Sequence, residues 1–184
     1  MLEKIIAYHC GPALAGIKPG NLVTCRKDKF SNIKNEIKRL NDTLNCKDIF
    51  FSSVCECEKR VLLLVYRKKK LEEYLSEPKI KELLDEYGYG NCGIIEEYIG
   101  RLRKRFEQNG EFPHEIGAFL GYPINDIYGF INHKNDGCLF VGEWRVYDDA
   151  ENARRVFDRY KCCRCALMRR ILSGMTLAEI FHAA

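Results

Sequence analysis

Apolar residues recur along this chain in two rhythms, and each predicts a different element. Within Asn32–Leu44, residues Ile33, Ile37, Leu40 and Leu44 fall at the spacing of one helical face. Lys34, Lys38 and Arg39 take the wet side, and Ser31 is placed as the N-cap. Ile94–Phe106 repeats that rhythm through Ile95, Tyr98, Ile99, Leu102 and Phe106. So does the long segment after Asp148 and Asp149, through Val156, Phe157, Tyr160, Cys163, Leu167 and Ile171, until Gly174 stops it. Thr176 is placed to cap a last short helix, Leu177–His182. The second rhythm is extended. Asp48–Cys57 and Arg60–Arg67 flank a Glu58-Lys59 turn, and Val61–Tyr66 is apolar throughout, as in a strand covered on both faces.

That hairpin is predicted as the middle of a sheet. Asn21–Cys25 reads as a further brief strand, and Gly137–Tyr147 as another, from its alternation of Cys138, Phe140, Gly142, Trp144 and Val146. Leu2–Tyr8 suits a short helix, Lys68 to Tyr87 a helical region restarted at Pro78, and Phe112–Asn132 a helix, a turn and a helix. The pattern predicts an α+β fold: a small, mainly antiparallel sheet of about four strands packed with several helices. One domain spanning residues 1–184 is expected.

One stretch fits neither rhythm. His9–Leu22, HCGPALAGIKPGNL, packs glycine, proline and alanine around a His, a Cys and a Lys. So many residues that bend or stiffen the backbone predict a shaped loop rather than a continuous helix. It could build a binding site or a tight connection. His9 and Cys10 pair an imidazole with a thiol that a neighbouring positive charge would activate, and Lys18 could meet an anion. A second such segment, Phe112–Phe130, opens with His114 and Glu115, an imidazole and a carboxylate able to move protons. Pro113 and Glu115 would equally serve to start a helix. Trp144 and Tyr147, near a strand end, could add an aromatic wall.

Composition narrows the function classes. A formal net charge of +4 is mild, and favours small anions without implying a nucleic-acid binder. The Phe112–Asn132 segment has the small and apolar positions of a helix-turn-helix. Its second helix offers Asn125, Asp126, Tyr128 and Gly129, with Lys134 only beyond its end, which is poor equipment for a polyanion. The basic end of Ile94–Phe106 (Arg101, Arg103, Lys104, Arg105) reads as capping and solvation. No apolar run approaches the roughly 20 residues that span a bilayer, and the opening residues do not read as a signal peptide. A cytoplasmic protein with no membrane partner is expected, its ten cysteines serving as thiols or small core residues. Cys162 and Cys165 share a helical face and Cys55 and Cys57 could join them, but the spacing matches no known zinc pattern, and no metal site is predicted. No phosphate-binding glycine loop or nucleophile elbow occurs, so no cofactor is identified.

The motifs HCGPALAGIKPGNL, FPHEIGAFLGYP, GEWRVYDD and ARRVFDRYKCC, in that order, resemble an uncharacterised family of bacterial proteins, chiefly from anaerobes, known only as a domain of unknown function. The resemblance covers nearly the whole chain and implies a bacterial cytoplasmic setting, but it brings no catalytic residues. The favoured expectation is a small-molecule or cofactor-binding protein, with enzymatic activity left open, at a site shared by His9, Cys10, Lys18 and His114. Glu115, Trp144 and Tyr147 would lie beside it. The alternative is an interaction or regulatory module built on the helix-turn-helix-like segment.

Overall fold

The computed structural model describes residues 1–108, 112–134 and 136–182. Three antiparallel strands form the main sheet: β1 (Gly20–Arg26), β2 (Ile49–Glu56) and β3 (Arg60–Arg67), in the order β1-β3-β2. The apolar β3 is therefore central, as its sequence predicts. Side chains alternate across it. Val61, Leu63 and Val65 face one core, while Leu64 and Tyr66 face another.

The first face is covered by α1 (Leu2–Leu14), α2 (Ile33–Leu44), α8 (Ala150–Leu172) and α9 (Leu177–His182) through Ile6, Leu14, Leu40, Leu44, Leu167 and Ile180. The second is covered by α3 (Lys68–Leu75), α4 (Pro78–Glu86), α5 (Ile95–Gln108), the single turn α6 (Ile116–Phe119) and α7 (Ile124–His133). A third, smaller cluster of Trp144, Val146, Ala153 and Tyr160 joins α8 to a two-stranded hairpin, β4 (Phe140–Val141) with β5 (Arg145–Val146). The class is α+β.

Four local expectations need correction. α1 does not stop at Tyr8 but runs through His9, Cys10, Gly11 and Pro12 to Leu14. A proline in a helix withholds one donor and disturbs the turn before it. Here the last turn is held from outside: the Asn21 side chain accepts from Ala13 N at 3.1 Å, and the Arg67 guanidinium donates to the Leu14 carbonyl at 3.0 Å. The only loop in this stretch is therefore the short connection from Ala15 to Pro19. The cap of α2 is Asn32, whose side chain accepts from Asn35 N, rather than Ser31.

The residues from Gly137 to Tyr147 do not make one strand. The chain reverses at Gly142–Trp144, with Gly142 N donating to the Trp144 carbonyl at 2.9 Å, so the alternation belongs to a hairpin. Finally, the helix, turn and helix of the 112–132 segment are present, but the first helix is only the single turn α6, with four residues, all buried, and Asp126 of α7 points inward. Thr176, by contrast, caps α9 as predicted, and Glu179 answers it: Thr176 Oγ1 accepts from Glu179 N at 3.2 Å, and Glu179 accepts from Thr176 N at 2.7 Å.

The two unusual sequence segments meet. A Cβ on Gly20 would lie 2.5 Å from the Phe119 carbonyl oxygen, and one on Gly121 (φ +64°) 2.3 Å from the Pro19 ring. Only glycine fits at such approaches. The end of the first motif is thereby docked onto the end of α6, and a cleft opens beside the contact.

Candidate functional site

The cleft has a volume of about 1080 Å³. α1 gives it Tyr8 and His9, the following loop Lys18, and the α6–α7 region His114, Tyr122, Asp126 and Phe130. The β4–β5 hairpin contributes Glu143, Trp144 and Arg145, and α8 contributes Lys161, Arg164, Cys165 and Met168. Most of the wall is apolar, which suits an organic ligand body.

Lys18 occupies the most telling position. It is 2% exposed, and its Nζ lies 4.8 Å from the centre of the Tyr122 ring and 5.5 Å from that of Tyr160. Its backbone follows directly from α1, with the Pro12 carbonyl accepting from Ile17 N and Lys18 N. Among the described residues no acceptor is hydrogen-bonded to this ammonium and no carboxylate is paired with it. Burial pushes its pKa down to about 8, against the opposing pull of the Glu143 charge. The rings stabilise the cation without taking its proton donors. Burial also pushes the phenols of Tyr122 and Tyr160 up to about 12, so both stay neutral walls.

The two carboxylates in the lining are engaged elsewhere. Glu143 is paired with Arg164, whose Nη1 donates to it at 3.0 Å. Asp126, 4% exposed, accepts from the Trp144 indole at 2.6 Å, from Tyr147 N at 2.7 Å and from Asp148 N at 3.1 Å. It ties the hairpin to α7 and fixes the indole edge. Trp144 then lies 5.0 Å from the Tyr122 ring and 4.5 Å from the Phe157 ring, centre to centre. The result is an aromatic box with Lys18 at its floor and Arg145 and Lys161 also in the lining.

The structure therefore brings together His9, Lys18, His114 and Trp144. His9 is exposed against Tyr8, and His114 stands edge-on to Phe130 at 5.0 Å. The other three expected residues are not in the lining. Cys10 is fully buried in the first core, and burial pushes its thiol far up, so it stays protonated there. Glu115 is 0% exposed at the start of α6, where Arg105 Nε donates to it at 2.8 Å and the Tyr89 hydroxyl at 3.3 Å. The basic end of α5 is thus partly an internal ion pair and not only capping. Tyr147 packs on the α7 backbone at Gly129, and its hydroxyl donates to the Lys134 carbonyl.

Sequence reasoning missed Tyr122, Tyr160, Arg145, Lys161 and Arg164. A signal existed for the last two: Lys161, Arg164, Cys165 and Met168 fall at one helical spacing, but cysteine positions drew the attention in that segment. All ten cysteines are free thiols. Among the described residues no three His, Cys, Asp or Glu side chains converge as a metal-binding group.

Fold and site together define an α+β protein with an aromatic cleft and a buried, unpaired lysine at its floor. The pattern of the family described as "Protein of unknown function (DUF3793)" matches residues 6–181, so the chain belongs to that family. No curated protein and no solved structure matches the chain. Among the described residues no helix is long and apolar enough to cross a membrane.

Proposed function

We propose that this protein binds a small anionic molecule with a flat or apolar body in the cleft, with Lys18 receiving the anionic group. The observation that carries this reading is the Lys18 ammonium, buried between two tyrosine rings with no acceptor. A cation stripped of most of its water and given no acceptor by the protein is costly, and an incoming anion lowers that cost. Arg145 and Lys161 add positive potential at the same lining, where the Glu143 carboxylate is paired with Arg164 and the Asp126 oxygens are taken up by the Trp144 indole and two backbone N–H groups. Trp144, Tyr122, Phe130 and Ile127 supply the surface for the ligand body. His9 and His114 line the same cleft and would be the groups to exchange protons with a bound ligand.

Trp144 is the only tryptophan and lines the cleft, so its fluorescence responds to a ligand bound there. Benzoate should quench or shift that emission saturably, while benzamide, the same ring without the charge, should bind about tenfold more weakly or worse. Lys18→Met should remove the difference. Equal responses to the two probes would count against an anion site.

A further inference from the structure

The surroundings of Lys18 fit more than electrostatic capture. A buried lysine is commonly held as an ammonium by a carboxylate at hydrogen-bond distance, which makes it a poor nucleophile. Here the Glu143 carboxylate is bonded to Arg164 and the Asp126 carboxylate to the Trp144 indole and two backbone N–H groups. Nothing of that kind locks the Lys18 proton in place. Its neighbours are the faces of Tyr122 and Tyr160, and Lys18 lines a cleft large enough for an organic ligand. A lysine desolvated in an apolar pocket is the usual setting for an amine that attacks carbonyl groups. The low pKa of about 8 agrees with this, since a share of the amine is then unprotonated near neutral pH.

Resting on the reading of the cleft as an anion site, we propose that Lys18 condenses with a carbonyl group on that anion and holds it as an imine. The ligand class is an anion carrying an aldehyde or ketone, such as a carboxylated aromatic aldehyde or a 2-oxo acid. The Nζ lone pair attacks the carbonyl carbon, the C=O π bond opens, and the oxygen takes a proton, giving a carbinolamine. That hydroxyl leaves as water after a second protonation, the nitrogen loses its protons, and a C=N bond remains. No oxidant or reductant is consumed. Once Lys18 is committed to the imine, Arg145 and Lys161 remain in the lining to hold the carboxylate. The His9 and His114 imidazoles, on the same cleft, are the groups available to deliver and accept the two protons.

The test is competitive labelling of the intact protein with 4-carboxybenzaldehyde at pH 7.5. Cyanoborohydride traps any imine as a stable secondary amine, and peptide mass spectrometry reads each lysine. Lys18 should be modified at least about tenfold faster than the exposed Lys79, with a rate that saturates and falls when benzoate is added. Its rate should rise with pH through a midpoint near 8. Lys18→Met, close in volume, should leave only background labelling on the remaining lysines; the wild-type comparison with Lys79 stands even if that variant does not fold. Labelling of Lys18 no faster than Lys79 overturns the proposal. If benzoate still shifts Trp144 fluorescence in that case, the covalent step is wrong and the anion site survives. If it does not, both are wrong.

Discussion

Glu115 and Lys18 are both charged, both buried, and drawn from the two least regular segments of the chain, yet their surroundings are opposite. Glu115 sits at the start of α6 with a guanidinium and a phenol directed at its oxygens. Lys18 sits at the floor of the cleft with two aromatic faces beside it and no acceptor. A buried charge whose partners come from the fold is part of the fold. One whose partner is missing costs stability and is poised for something from outside. Side by side, the two show that burial alone does not mark a functional residue; what matters is whether the protein satisfies it.

The comparison breaks most visibly through stability. Glu115→Ala leaves Arg105 and Tyr89 without their acceptor, in a site with little access to water. A loss of about 3–4 kcal/mol is expected in urea unfolding. A loss below about 1 kcal/mol would mean that the pair is not structural.

Lys18→Met should act with the opposite sign. The folded protein lowers the Lys18 pKa to about 8, whereas the unfolded chain has the ordinary lysine value of about 10.4. Between those values the unfolded state binds more protons, so stability rises with pH, and below pH 8 the full cost of burying the charge is present. At pH 7 the Met variant should therefore be at least as stable as wild type. The difference between them should shift in favour of wild type by about 3 kcal/mol on going from pH 7 to pH 10.5. Parallel pH profiles for the two proteins would remove the argument.

The smallest effect concerns Cys10, which lies close enough to Lys18 to feel its charge. Burial outweighs that charge, so Cys10 should react with iodoacetamide no faster than Cys163 until the protein is unfolded. Fast labelling of the native protein would bring the thiol back into the site.

How much of this was legible beforehand follows from which interactions are local. The β2–β3 hairpin, α2, α5, α8 and α9 announce themselves because their apolar positions repeat within a single element. The continuation of α1 through Gly11 and Pro12 could not be read, because Asn21 and Arg67, which hold its last turn, are brought there by the sheet. The same is true of Glu115: nothing in FPHEIG says that Arg105 will arrive beneath it. Of the site, His9, Lys18, His114 and Trp144 were singled out by their unusual settings and do line one cleft. Tyr160 was read as part of a buried helical face, and Tyr122 was not singled out at all. Tyr160 is buried and Tyr122 half-buried, and together they are the walls around Lys18.

The central claim is that Lys18 is a buried cation waiting for an anion, and its own titration tests that most directly. With lysine side chains labelled with ¹³C at Cε, the Lys18 resonance can be followed by NMR from pH 6 to 11, using Lys18→Met for assignment. The account predicts a midpoint near 8 in the free protein, moving upward by about one pH unit or more with saturating benzoate, because an anion that binds the ammonium must stabilise it. A midpoint at the ordinary lysine value, unmoved by benzoate, would contradict it.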